Sequence, residues 1–232
     1  FTDWTDLMLK DGTQQNHFIQ VSGAGKKVSY RVGTGYQQED GVMGDGLRRY
    51  NLKLAIDGKI NRQLAMGATA NLVAFEYNYG SRRAVQTSFR SNGFWLPYNT
   101  ATGELNYMPG KDLVAGQEKS EAYPAGFTST VSPLVDAMNS EDKTKGYRVL
   151  TTMYLQYQPI EEILVKTTFS PTMSTKRRGE YYGGLSEEQA GTYNAKDNPT
   201  GDAKATITKD EYFSYTWDTH CLLYTSDAAD ED

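Results

Sequence analysis

The chain has 232 residues, and 24 Lys and Arg against 29 Asp and Glu leave it a net charge of −5. Hydrophobic residues make up 38% and mean hydropathy is −0.64. No run of about eighteen apolar residues occurs, which excludes transmembrane helices but not a barrel of alternating strands. The slightly acidic balance argues against nucleic acid as a partner, while 17 Tyr and 22 Gly suit strands and turns.

In chain order, His17–Ser22 reads as a first, short strand. From Val28, the set Ser29, Arg31, Gly33, Gly35 and Gln37 alternates with Val28, Tyr30, Val32, Thr34 and Tyr36. Arg49, Asn51, Lys53 and Asp57 then alternate with Tyr50, Leu52, Leu54 and Ile56, interrupted only by Ala55. Leu64, Met66, Ala68, Ala70, Leu72 and Ala74 form the apolar row of a fourth strand. After a long interval, Tyr147, Val149, Thr151, Met153, Leu155 and Tyr157 form another, although Leu150 and Tyr154 spoil its polar face. Leu164–Ser170 and Tyr212–Trp217 are shorter strands, and Ser132–Asn139 suits one short helix.

Alternation of this kind fits either a soluble sandwich with an apolar core or an outer-membrane barrel whose apolar rows meet lipid. Three features favour the barrel. Val28 to Gln38, Leu47 to Asp57 and Leu64 to Tyr77 reach the roughly 9–11 residues that a tilted spanning strand needs. Tyr36, Tyr50, Tyr147 and Tyr157 stand near strand ends on the apolar rows, where an aromatic girdle would lie. Tight connections (Gly23–Lys27, Gly58–Gln63, Pro159–Ile163) also alternate with long ones (Gln38–Gly46, Gly80–Lys145, Pro171–Lys209). The longest of these is roughly 65 residues, where a compact soluble domain seldom exceeds about 15. The expected fold class is therefore all-β: an antiparallel transmembrane barrel portion of six to seven strands, with long external loops at 80–145 and 171–209.

The two ends carry further expectations. Phe1 is not preceded by a start residue or leader, so the lack of a signal peptide is uninformative about compartment. Cys221–Asp230 read CLLYTSDAAD, the in-frame translation of a transposase-type sequencing adapter. Residues 221–232 are accordingly expected to be a non-native tail, and residues 1–220 a partial barrel.

Several runs resemble the early barrel strands of SusC/RagA-type TonB-dependent outer-membrane receptors. They are TDWTDLML (Thr2–Leu9), QNHFIQVSGAGKKVSYRVGTGYQQEDGV (Gln15–Val42), RRYNLKLAIDGKI (Arg48–Ile60), SPLVDAMNSEDKTKGYRVLTTMYLQYQPI (Ser132–Ile160) and YFSYTWDT (Tyr212–Thr219). The similarity keeps its order across Phe1–His220, and departures concentrate in Gly80–Gly126 and Arg177–Lys209. The resemblance implies a barrel of about 22 strands, here without its plug domain and TonB-contact segment, in the outer membrane of a Gram-negative, Bacteroidetes-like bacterium. It implies active, TonB-driven import of oligosaccharides or peptides with a SusD-like surface lipoprotein as partner, and outer-membrane lipid around the barrel. A siderophore-type TonB receptor or a passive porin is the alternative in the same membrane; a soluble carbohydrate-binding β-sandwich is the alternative of another class.

Candidate site residues fall in two groups. Phe94, Trp95, Tyr98 and Tyr107, with Asn99 and Asn106, lie in the expected external loop Gly93–Gly110; flat rings beside amides suit sugar or peptide contact, or packing of the loop onto itself or a partner. Arg31, Arg49, Asn51, Lys53 and Asp57 lie on the polar rows, facing a lumen or plug. Lys176, Arg177 and Arg178 form a basic run that suits a solvated face or lipopolysaccharide phosphates. No enzyme, cofactor or metal signature is present. Gly23–Lys27 lacks the Ser or Thr of a phosphate loop, His17 and His220 have no ligand spacing, and Asp197, Asn198 and Asp202 lack calcium-loop spacing.

Overall fold

A computed structural model describes residues 1–100, 102–109, 130–192 and 197–224. Residue 101 and the segments 110–129, 193–196 and 225–232, including parts of both expected long loops and most of the expected tail, lie outside the described residues. Seven strands form one sheet in the order of the sequence, every pair antiparallel. They are β1 (Thr13–Ala24), β2 (Val28–Asp40), β3 (Gly46–Lys59), β4 (Leu64–Asn78), β5 (Ser140–Ile160), β6 (Ile163–Tyr182) and β7 (Lys204–Leu223). The sheet is not closed: β1 and β7 are its edges.

The register fixes the two faces. Tyr30↔Ile56↔Ala68↔Met153↔Phe169↔Trp217 form one cross-strand row, and Val32↔Leu54↔Ala70 and Tyr36↔Tyr50↔Ala74↔Tyr147 lie on the same face. No second layer covers this face among the described residues, and its side chains touch only their neighbours within the sheet: Ile56 is 52% exposed and Trp217 70%. In water so large an apolar face would be a severe liability, whereas lipid satisfies it. From the Tyr147 row to the Tyr157 row is ten residues, about 33 Å along the strand. At a tilt of about 40° this projects to ~25 Å, the height of an outer-membrane apolar band.

Tight turns close one end of the sheet. Gly25 N–H donates to the Val28 carbonyl at 2.7 Å, and Asn61 Oδ1 accepts from the N–H groups of Gln63 and Leu64, both at 2.8 Å, an Asx-type turn. At the other end sit the long connections and the helices of the described residues: α1 (Trp4–Met8), α2 (Arg82–Ser88), α3 (Pro133–Asn139) and a 3₁₀ turn, Glu187–Thr192. Asp3 caps α1 by accepting from Thr5 and Asp6 N–H, and Ser81 caps α2 by accepting from Ala84 N–H. These helices form a small cap with the described residues' two hydrophobic clusters: Met8, Ala84 and Val85, and Met108, Val131 and Val135.

The strands are longer than alternation predicts. β5 starts at Ser140 rather than near Tyr147, β6 runs to Tyr182, and β7 begins at Lys204. The interval 80–145 is thus partly helix and strand, and 171–209 contracts to the connection 183–203. Beyond the girdle both faces of the strands meet a polar medium, so no apolar period marks them; ion pairs such as Arg178–Asp142 (2.7 Å) lie there instead. Pro171, an apparent strand end, sits inside β6 opposite Tyr215, where β5–β6 pairing lapses between Leu150↔Thr172 and Met153↔Phe169. β7 continues through Cys221 to Leu223, since backbone pairing with Ile163–Val165 asks little of side-chain identity.

Candidate functional site

Arg31, Arg49, Asn51, Lys53 and Asp57 all lie on the face opposite the apolar rows: Arg31 pairs with Ala55 of β3, and the β3 residues pair with odd-numbered residues of β2 and β4, Asn51↔Gly35 and Val73, Lys53↔Gly33 and Asn71, Asp57↔Ser29 and Gly67. The structure does not gather them into one cluster. Arg49 Nε donates to Asn51 Oδ1 at 3.1 Å, Lys53 Nζ lies 6.0 Å from the Phe18 ring centroid, and Asp57 Oδ1 accepts from Tyr154 Oη at 2.7 Å. Tyr154 in turn has Lys166 Nζ 4.7 Å from its ring centroid, a cation–π contact.

The aromatic loop divides into buried and exposed members. Residues 97–100 and 102–106 pair as a small hairpin, with Tyr98 bridged to Leu105 and Asn99 N–H donating to the Glu104 carbonyl at 2.8 Å. Gly103 turns it with φ +75°. Trp95 is buried, and its carbonyl accepts from Thr2 Oγ1 at 2.8 Å. Asn106 is buried as well and donates to the Leu96 carbonyl at 2.8 Å, while Tyr107 packs against the cluster around Val131. Phe94, edge-on to Phe1 at 5.9 Å, and Tyr98 are the exposed rings.

What sequence reasoning missed is an aromatic ladder on the inner face of β4 and just beyond it. Phe75, Tyr77 and Tyr79 follow one another with ring centroids 5.3 and 6.2 Å apart. Arg82 and Arg178 each place a guanidinium carbon 5.7 Å from the Tyr79 centroid. The signal was present in the alternating run FEYNY, hidden because the apolar row of β4 drew attention to the opposite face. Phe75 has room to lie flat because its partner in the row is Gly146, where a Cβ would come within 2.7 Å of the ring.

The ladder borders two cavities. One, about 570 Å³, lies on the polar face and is lined by Arg49, Arg148, Lys176 and Asp210 together with Phe75 and Tyr77. The other, about 420 Å³, lies between sheet and cap and is lined by Tyr79, Arg82, Asp136, Arg178 and Tyr182. At this rim, beyond the girdle, hydrogen bonds from Nε and Nη2 to Asp142 (2.9 and 2.7 Å) hold the Arg178 guanidinium pKa above its ordinary value. Burial, and then the Glu180 charge, raise that of Tyr182. Asp136 is buried and fully engaged: it accepts from Ser81 Oγ (3.2 Å), Ser140 Oγ (3.1 Å) and Glu187 N–H (2.8 Å), tying α2, β5 and the 3₁₀ turn together.

Among the described residues no group of three or more His, Cys, Asp or Glu is placed to hold a metal; Asn198 Nδ2 instead donates to Asp202 Oδ1 at 3.1 Å. The arrangement suits contact with a solute through stacking and charge.

No protein-family model matches the chain. Among curated proteins, the TonB-dependent receptor P26 of Formosa agariphila is 22% identical over 180 residues, which is 77% of this chain but only 17% of that protein. Among solved structures, the RagAB peptide transporter superposes with a TM-score of 0.70 at 15% identity, covering 97% of this chain and 24% of that one. The RagAB peptide importer in its open-open state gives 0.65 at 16% identity, with 94% and 23% covered.

Proposed function

We infer an import role from the premise that the chain is part of a TonB-dependent receptor, an outer-membrane transporter family of Gram-negative bacteria and not an enzyme family. The proposed role is a share of the wall and outer loops of an importer for oligosaccharides or peptides, working with a SusD-like surface lipoprotein and energised through TonB. The observation that carries it is the ladder Phe75–Tyr77–Tyr79, which runs from the helical cap down the polar face. Stacked rings spaced by about two residues offer successive flat surfaces to a pyranose or to peptide side chains. The neighbouring Arg49, Arg148 and Lys176 supply hydrogen-bond donors.

Within this reading Phe94 and Tyr98 contact cargo or the lipoprotein at the outer rim, whereas Trp95, Asn106 and Tyr107 hold the cap together. Arg31, Lys53 and Asp57 face lumen water or the plug. The likeness to RagAB supports a peptide cargo, and the aromatic ladder supports a glycan one. Titrating the complete receptor, paired with its lipoprotein, with oligosaccharides and with oligopeptides decides between them. Replacing Tyr77 and Tyr79 by Ala is expected to weaken the preferred cargo at least tenfold, and unchanged affinity for both classes contradicts the proposal.

A further inference from the structure

The basic run Lys176–Arg178 is split by the strand's alternation. Lys176 and Arg178 face inward, Arg178 onto Asp142, while Arg177 alone points outward. The register then places Arg177 in a row no stretch of sequence contains: Arg48↔Glu76↔Lys145↔Arg177↔Lys209, across β3 to β7. This row lies two residues beyond Tyr50↔Ala74↔Tyr147↔Thr175↔Glu211, about 5 Å further from the membrane centre at a tilt of about 40°. That is the depth of lipid headgroups.

Lys145, Arg177 and Lys209 stand on three adjacent strands, about 4.8 Å apart, and directly opposed like charges destabilise a sheet. The two lysines are partly compensated, Lys145 by Glu76 at 3.2 Å and Lys209 by Glu211 at 2.6 Å. Arg177 has no carboxylate partner among the described residues, and its side chain is exposed. Arg48, at the far end of the row, is also exposed and unpaired among the described residues. A cation held between two others, at headgroup depth and above an apolar wall, is completed by an anion that arrives with acyl chains.

We propose that this row binds the phosphate of a phosphorylated glycolipid of the outer leaflet, with Arg177 as its fork-shaped ligand and Lys145 and Lys209 flanking it. The acyl chains lie against the outward residues just below the girdle, Val149, Met173 and Phe213, with Tyr215 beneath them. The assignment rests on the end with the long connections being the external one, and is independent of which cargo the receptor imports.

The test is native mass spectrometry of the complete receptor in detergent micelles with bisphosphorylated lipid A, with its dephosphorylated form, and with inorganic phosphate as competitor. The wild type is expected to bind the phosphorylated lipid at least tenfold more tightly than the dephosphorylated one. Arg177→Gln with Lys209→Gln should abolish that preference, Lys176→Gln on the inner face should leave it intact, and millimolar inorganic phosphate should not displace the lipid. Heat-modifiable migration establishes that each variant is folded. Equal binding of the two lipids, an unaffected double variant, loss on Lys176→Gln, or full displacement by free phosphate would each overturn the assignment. Cargo titration of the wild-type receptor, measured separately, tests the import role independently of these results.

Discussion

Placing an arginine at Leu54 probes the sheet at its most sensitive point. Leu54 faces outward, paired with Val32 and Ala70, four residues below Tyr50 in the girdle. Four residues are about 13 Å of strand, or ~10 Å of depth at a tilt of about 40°, which is close to the midplane of a ~25 Å band. Leu54→Arg should therefore cost about 2–4 kcal/mol of folding free energy in a bilayer, whereas Tyr50→Arg at the interface should cost about 0–1 kcal/mol. Lys53→Leu, one residue away but on the wet face, should stay within about 0.5 kcal/mol. The assay is refolding of the complete receptor into phosphatidylcholine vesicles across a urea series, with the folded fraction read from heat-modifiable migration. Equal costs at Leu54 and Tyr50, or a larger cost at Lys53 than at Leu54, would refute the assignment of faces and depth.

Other expectations follow from the cap and the inner face. Asp136→Ala strands Ser81, Ser140 and the Glu187 N–H; with charged hydrogen bonds worth about 1.5–3 kcal/mol each, the cap should open. Faster hydrogen exchange at α2 and the 3₁₀ turn, with the strands unchanged, would register this, and unchanged exchange would count against the account. Trp95→Ala should loosen the cap by about 3 kcal/mol or more, as for other buried Trp. Phe94→Ala, an exposed ring, should leave cap stability within about 0.5 kcal/mol; limited proteolysis distinguishes the two. Gly67→Val puts a Cβ within 2.3 Å of the Tyr154 ring and 2.5 Å of Asp57 Oδ1. It should break the Tyr154–Asp57 hydrogen bond, seen as a shift of Tyr154 fluorescence or ultraviolet absorption toward that of a solvated phenol. Arg178→Gln should cost about 1 kcal/mol despite its bidentate geometry, because the Arg178 side chain is about half exposed and solvent screens the pair.

Where alternation and burial coincide, the sequence was legible. β2 and β3 show their sidedness residue by residue because lipid on one face and water on the other impose opposite chemistry on neighbours. β5 is less plain: Tyr154 and Leu150 look like intrusions on a polar row. Both belong there, Tyr154 because its hydroxyl reaches Asp57 and its ring meets Lys166, Leu150 because it lines the inner cleft beside Val73. Past the girdle the pattern falls silent. The upper parts of β5, β6 and β7 are held by backbone pairing and ion pairs that carry no period, so they read as loop. α3 was visible through its Pro133 start, but α1 and α2 span five and seven residues, too few for a 3.6-residue period; Asp3 and Ser81, their caps, were the available signs. The aromatic loop shows the opposite limit. Residue type suggested recognition, yet nothing in the spacing tells that Trp95 and Asn106 turn inward while Phe94 and Tyr98 turn out. The cationic row is legible only in register, since its members come from five strands.

The most direct test of the central claim is a nitroxide scan along β3 from Tyr50 to Asp57, in the complete receptor with no other cysteine, reconstituted in lipid. Collision rates with oxygen and with a water-soluble nickel chelate give the environment of each position. The account predicts strict alternation, with 50, 52, 54 and 56 oxygen-rich and 51, 53, 55 and 57 accessible only to the chelate, and the oxygen signal highest near 54. Uniform aqueous access, or alternation of the opposite phase, would contradict it.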